Sequence, residues 1–290
     1  MEIRTILVPV ADEALGRQAL QAAVQLARVF AAHVTALHVK YDPAIPMPYV
    51  AGPIPADMLM ELSTNAVKLA DEQALRYRTM TATLFAEAGI RTDAMPGDGL
   101  GASGEWLEDQ GNIDFVYGAA GRVYDLAVVA QPTKGASEIL IDVLEGLLFY
   151  SGHPVLMVPE TPVARIGATT VIAWNGSREG ARAATAALPF LKRADRIVIL
   201  TVGDDSNSGE GPSPKALATS LKWHGVEAEI VHVKDDTLSD GQAILKSAAG
   251  LGADLLVTGA YSHSRLRELI LGGVTHDLVA HASLPVLFGH

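Results

Sequence analysis

The chain has 290 residues, 49% of them hydrophobic and 19% charged, and no cysteine, which fits a folded protein with room for two cores and excludes disulfide and thiolate–metal sites. Its 22 basic and 33 acidic residues give a formal net charge of -11, so nucleic acid and anionic membranes are excluded as default partners. A nucleotide is still admissible, because main-chain N–H groups can hold phosphate without lysines.

The opening MEIRTILVPV runs straight into a strand pattern at residues 5–10. That leaves no room for a leader segment, and a cytoplasmic location is the expectation. No apolar run approaches the roughly 18–20 residues needed to cross a bilayer. An alanine-rich helical pattern follows, RQALQAAVQLARVF (17–30), and then a second strand, HVTALHV (33–39). YDPAIPMPYVAGPIPAD (41–57) is too rich in proline to be regular. RTDAMPGDGLGAS (91–103) reads as a loop ahead of a strand containing Trp106. Its GDGLG lacks the strand that a dinucleotide fingerprint requires, so a solvated turn is expected. DLAVVA (125–130) and GHPVLMV (152–158) are further strands, and PETPVARIG (159–167) breaks the pattern with two prolines and a glycine.

Beyond that break the order repeats. TTVIAW (169–174), EGARAATAALPFLK (179–192), RIVILTV (196–202), DLLVTGA (254–260) and SLPVLFG (283–289) match the earlier segments one for one, with SNSGEGPSP (206–214) as a shorter loop. Five matches in one order indicate an internal duplication. Each copy reads as five strands alternating with four helices, which calls for right-handed crossovers. The expected fold is α/β, with two tandem open, mainly parallel five-stranded sheets flanked by helices, Rossmann-like, over residues 1–160 and 167–290.

Ligands of open parallel sheets gather beyond the carboxyl ends of the strands. There the second copy reads GAYSHSRLRELILGGV (259–274). Gly259 permits close approach of a ligand, and Gly272 and Gly273 place N–H groups at a helix start that favours anions. RLRELIL is apolar at helical spacing and is expected to pack on the sheet. The alternative is that these glycines only make tight turns.

The segment resembles the nucleotide loop of the universal stress protein family: Gly, two residues, Gly, nine residues, Gly, then Ser or Thr. Gly259, Ser262, Gly272 and Gly273 occupy those positions. ILVPV and VIAWNGSREGARAA resemble the family's first strand and helix, and LPVLFGH its last strand, so the likeness covers nearly all of both copies. It implies adenine-nucleotide binding in the second half, with those four residues on the phosphates, Asn175 on the ribose and Val202 reading adenine through its main chain. ATP, with magnesium, is the implied cofactor. Three departures weaken the site. Ser262 replaces a glycine, Gly273 replaces a hydroxyl, and Asn175 replaces an aspartate and brings no charge to a metal. Asn175 also reads as a plain turn residue within NGS. Arg265 could approach a phosphate, but an exposed arginine on a helix surface is the reading expected of it.

The first copy has QPTKGASEILIDVLEGLLFYSGHPVL after its fourth strand. Ala130 to Pro154 is two residues shorter than Gly259 to Pro285, at 24 steps against 26. Ile141 to Val143 supply no paired glycines at the helix start, and Asp142 would repel phosphate there. TKGAS lacks the earlier glycine of a P-loop. No nucleotide is expected in this half, which serves as a structural partner.

No catalytic or metal set emerges. The nine histidines are scattered, and His276 and His281 fall on different helix faces. Ser177 reads as a helix N-cap rather than a nucleophile, and Asp235, Asp236 and Asp240 as a solvated loop ahead of a helix capped by Ser239 or Asp240. The resemblance implies a regulatory, stress-linked role with at most slow ATP hydrolysis. The competing class is a nucleotide-free protein-interaction module. An enzyme of the related α-hydrolase group lacks its catalytic residues here. Family members commonly pair through their last strands, so HPVLMV and LPVLFG are expected to join the halves as an intramolecular pseudo-dimer. A homodimer of chains is a further possibility that no residue argues for.

Overall fold

The computed structural model describes residues 2–40, 56–99, 101–132, 138–203, 211–260 and 273–290. The first half runs β1 (Thr5–Pro9), α1 (Glu13–Phe30), β2 (His33–Lys40), α2 (Ala56–Glu87), β3 (Ser103–Gln110), α3 (Ile113–Gly121), β4 (Leu126–Ala130), α4 (Glu138–Tyr150) and β5 (Val155–Val158). The second runs β6 (Thr169–Ala173), α5 (Arg178–Ala186), the single turn α6 (Leu188–Leu191), β7 (Arg196–Val202), α7 (Pro214–Trp223), β8 (Glu229–Val233), α8 (Asp240–Gly250), β9 (Leu255–Gly259), α9 (Gly273–His281) and β10 (Val286–Gly289).

The central strands are apolar throughout because helices cover both of their faces. Alternation sends Ile6 and Val8 into one layer with Leu20, Tyr77, Ala183 and Leu217, from α1, α2, α5 and α7. Leu7 goes into the other with Tyr117, Val143, Ile244 and Leu278, from α3, α4, α8 and α9. Helix starts are capped by the short polar residues that sequence chemistry favours there. Asp12 accepts the Leu15 N–H, Ser177 the Gly180 N–H, and Ser239 forms a reciprocal capping box with Gln242. The expected Ser177 and Ser239 caps are therefore present.

The two five-stranded sheets are fused into one, in the order β3-β2-β1-β4-β5-β10-β9-β6-β7-β8. All pairings are parallel except the central one. There β10 meets β5 antiparallel, with Val286 opposite Met157, Leu287 opposite Leu156 and Phe288 opposite Val155. All six side chains are fully buried. The join therefore reads as core rather than as a surface contact. The outer strands carry their own protection: β3 bears Glu105, Glu108 and Asp109, and β8 bears Glu229.

One detail shows how closely the halves repeat. Asp125, ahead of β4, accepts hydrogen bonds from Arg4 N (2.8 Å) and Thr5 N (2.9 Å) at the start of β1. Asp254, ahead of β9, accepts from Gly167 N (3.0 Å) and Thr169 N (2.9 Å) at the start of β6.

Candidate functional site

In the second half the chain leaves β6 toward β7 and β8 on one side and returns through β9 on the other, so the switch point lies between the ends of β6 and β9. Asn175 follows β6 and Gly259 closes β9, and both gather around the first turn of α5. A methyl group added at Gly180 would lie 3.3 Å from Asn175 Oδ1, and one added at Gly259 would lie 2.5 Å from Gly180 N. Gly259 does not adopt a left-handed backbone. It is needed because β9 runs hard against the α5 backbone. The close neighbour at Gly259 is thus a helix of the protein itself, where the expectation was a ligand.

Asn175 is exposed, and its Oδ1 accepts the Ser177 N–H at 3.1 Å, so the side chain is tied into an Asx turn. The turn contact expected of this residue is thus present, and it occupies the side-chain oxygen. Gly176 takes φ 76°, and its main chain interlocks with Gly211. Trp174, buried in the core, donates its indole N–H to Pro212 O at 2.8 Å. Together these contacts strap the segment entering α7 across the end of β6. Sequence reasoning did not foresee this; the tryptophan beside the NGS turn was its only trace.

Val202 ends β7 half-buried. The neighbouring main chain is taken up: Leu200 O accepts from Trp174 N at 2.8 Å and Gly203 N donates to Val233 O at 3.1 Å. Among the described residues no group accepts the Val202 N–H. Gly273 begins α9, exposed, and a side chain built there would point into open space. Ser262, Arg265, Gly272 and the RLRELIL stretch lie outside the described residues. The structure thus brings Asn175 and Gly259 together, and sets Val202 on the strand beside them.

The universal stress protein family model matches residues 2–92 and 169–288. The chain belongs to the universal stress protein family. Its fold is similar to a universal stress protein from Archaeoglobus fulgidus, with a TM-score of 0.69 at 16% identity, covering 100% of this chain and 99% of that one. It is also similar to a universal stress protein described as putative from Pseudomonas aeruginosa, with a TM-score of 0.51 at 18% identity, covering 99% and 92%. At these identities the likeness concerns the fold. No curated protein matches.

Elsewhere in this universal stress protein Asp235 is engaged structurally. Asp235 accepts from Thr237 Oγ1 (2.5 Å) and Lys246 Nζ (3.1 Å), which hold its carboxyl below the usual range, the threonine foremost. Among the described residues no group of three or more His, Asp or Glu side chains could hold a metal. In the first half, Ile141 to Val143 do not stand at a helix start. Helix α4 begins at Glu138, because Leu140, Val143, Leu144 and Leu147 form a buried stripe at helical spacing that carries the helix further back. Asp142 therefore lies in its second turn rather than at its positive end.

The corresponding edge of the first half is filled by a cluster that sequence reasoning missed. His38 is buried, and its Nδ1–H donates to Val10 O at 2.8 Å. Its ring stacks on Trp106 at 6.0 Å and meets Tyr77 edge-on at 5.1 Å. Burial pushes the imidazole below its ordinary value. Glu108 bonds Lys40 Nζ (2.8 Å) and Trp106 Nε1 (2.9 Å), and both hold its carboxyl low. Tyr77 Oη donates to Ala11 O at 3.4 Å. The carbonyls that follow β1 are thus taken by the protein's own side chains.

Proposed function

We propose that this chain is a regulatory stress protein whose second half binds an adenine nucleotide at the switch point between β6 and β9. The observation that carries the reading is the half-buried Val202, whose N–H has no acceptor among the described residues, beside the Asn175–Gly259 corner. Val202 would receive a ring nitrogen of the base, and Asn175, through its amide nitrogen, a ribose hydroxyl. Gly259, Ser262, Gly272 and Gly273 would hold phosphate by main-chain N–H groups, with the start of α9 contributing its dipole. Magnesium would be held by the phosphates and water, since Asn175 adds no charge. We assign the site to binding rather than to turnover.

Calorimetric titration of ATP, with and without magnesium, tests this. One nucleotide per chain, tightened by Ser262→Gly with Gly273→Ser, is the expected result. Affinity untouched by the double change would remove the loop from the site. The absence of both heat and thermal shift at saturating ATP would favour the second reading, a nucleotide-free protein-interaction module. The fact in its favour is that Asn175 Oδ1 is already spent on the Ser177 N–H.

A further inference from the structure

The two halves differ at one buried place that neither the strand pattern nor the glycine loop accounts for. In the first half, Val10 N donates to Leu37 O at 2.8 Å, which closes the last β1–β2 link. In the second half, Trp174 N donates to Leu200 O at 2.8 Å in the same way. Two residues on from each acceptor stand Val39 and Val202, so these two valines are structural counterparts. A continuing parallel ladder would give each N–H a carbonyl on the neighbouring strand, but β1 and β6 have already ended.

Val39 is nonetheless satisfied. Tyr117, five residues after the Asn112 cap of α3 and fully buried, accepts the Val39 N–H at 3.1 Å. The same hydroxyl donates to Leu37 O at 3.3 Å. One phenol therefore meets both a donor and an acceptor at the end of β2. Burial drives this hydroxyl well above the ordinary phenol range, so it keeps the proton that the second bond requires. On α8 the buried residue five positions after the Ser239 cap is Ile244, which has no polar atom. Val202 lacks an acceptor among the described residues, and it is half-buried where Val39 is buried.

We propose that Tyr117 is the first half's built-in ligand, occupying the main-chain donor at the end of β2 that Ile244 leaves open in the second half to an acceptor atom of a heteroaromatic base. This rests on the nucleotide reading for the nature of the outside ligand, but not for the occupancy of Val39. Any unsatisfied N–H at such a depth carries a free-energy cost, so each half needs an acceptor, one internal and one diffusible. Tyr117 and Ile244 thereby decide which half is available to a small molecule.

Amide hydrogen exchange, resolved by residue, tests the claim on the whole chain. The unmodified protein should protect the Val39 amide far better than that of Val202. Tyr117→Phe keeps the ring and its packing, and should speed Val39 exchange by about tenfold while Leu7 in β1 is unchanged. Ile244→Tyr should slow Val202 exchange and abolish the calorimetric signal of ATP. Unchanged Val39 exchange in Tyr117→Phe, or full ATP binding by a folded Ile244→Tyr, would overturn the proposal. If the unmodified chain shows no ATP binding, the nucleotide reading fails alone, and the Val39 comparison still decides the role of Tyr117.

Discussion

His38 shows what a single residue can do to the pH response of this fold. Its imidazole donates to a main-chain carbonyl and lies between two aromatic rings, with Glu108 and Lys40 of opposite charge nearby. Because burial lowers its folded value, the neutral form is favoured in the native state. Its contribution is fully present above about pH 6.5, the unfolded value, and is lost as pH falls through the lower folded value. Glu108 is itself held low by Lys40 and Trp106. His38→Gln keeps a donor for Val10 O and removes the titration. Urea midpoints should therefore fall less on acidification in that variant than in the unmodified chain, and equal losses would remove His38 as the cause. None of this was legible in the sequence. A histidine and a tryptophan 68 positions apart become neighbours only once β2 and β3 are in register, with Ala36 opposite Trp106 and His38 opposite Glu108.

Among the elements, α5 is the one whose packing depends most on having almost no side chain. It crosses β9 and β10 with Gly180 and Ala183 toward Gly259 and Gly289. A methyl group added at Gly289 would sit 2.4 Å from Ala183 N, and one at Gly259 2.7 Å from the Glu179 carbonyl carbon. Backbone cannot yield as a flexible side chain does, so Gly259→Ala should cost about 1–3 kcal/mol through displacement of the whole helix. A stability change within error in chemical denaturation would show that the helix can shift freely. The sequence marked Gly259 for the approach of a ligand, whereas the structure sets the α5 backbone against it. A glycine at a strand end is visible in one dimension, whereas the helix pressed against it is not. The strands and helices themselves were legible, because apolar runs and helical spacing are local signals that burial on two faces imposes directly.

For the molecule as a whole, the decisive contact is the antiparallel pairing of β5 with β10. The resemblance to the family implied that pairing, and covering an open sheet edge gives it a physical reason. What repetition alone does not convey is that the seam is as dry as the rest of the core, with Leu156, Met157, Leu287 and Phe288 showing no exposed surface. Gln131 adds to it, donating from its buried Nε2 to Val279 O at 2.8 Å across the halves. A fragment of residues 167–290 expressed alone should therefore self-associate through β10. Light scattering after gel filtration would report this, and a stable monomer would mean that the seam is dispensable.

Joining the halves by a peptide linker has a consequence for how such a protein can change over time. When two separate copies pair through a common edge, every substitution appears twice, once on each side of the axis, and both sites must tolerate it. Here a substitution is made once. The tyrosine that fills one strand end and the isoleucine at its counterpart form an asymmetry that no assembly of identical chains can encode. The dry seam holds the two halves to one architecture while leaving each free to acquire its own occupant.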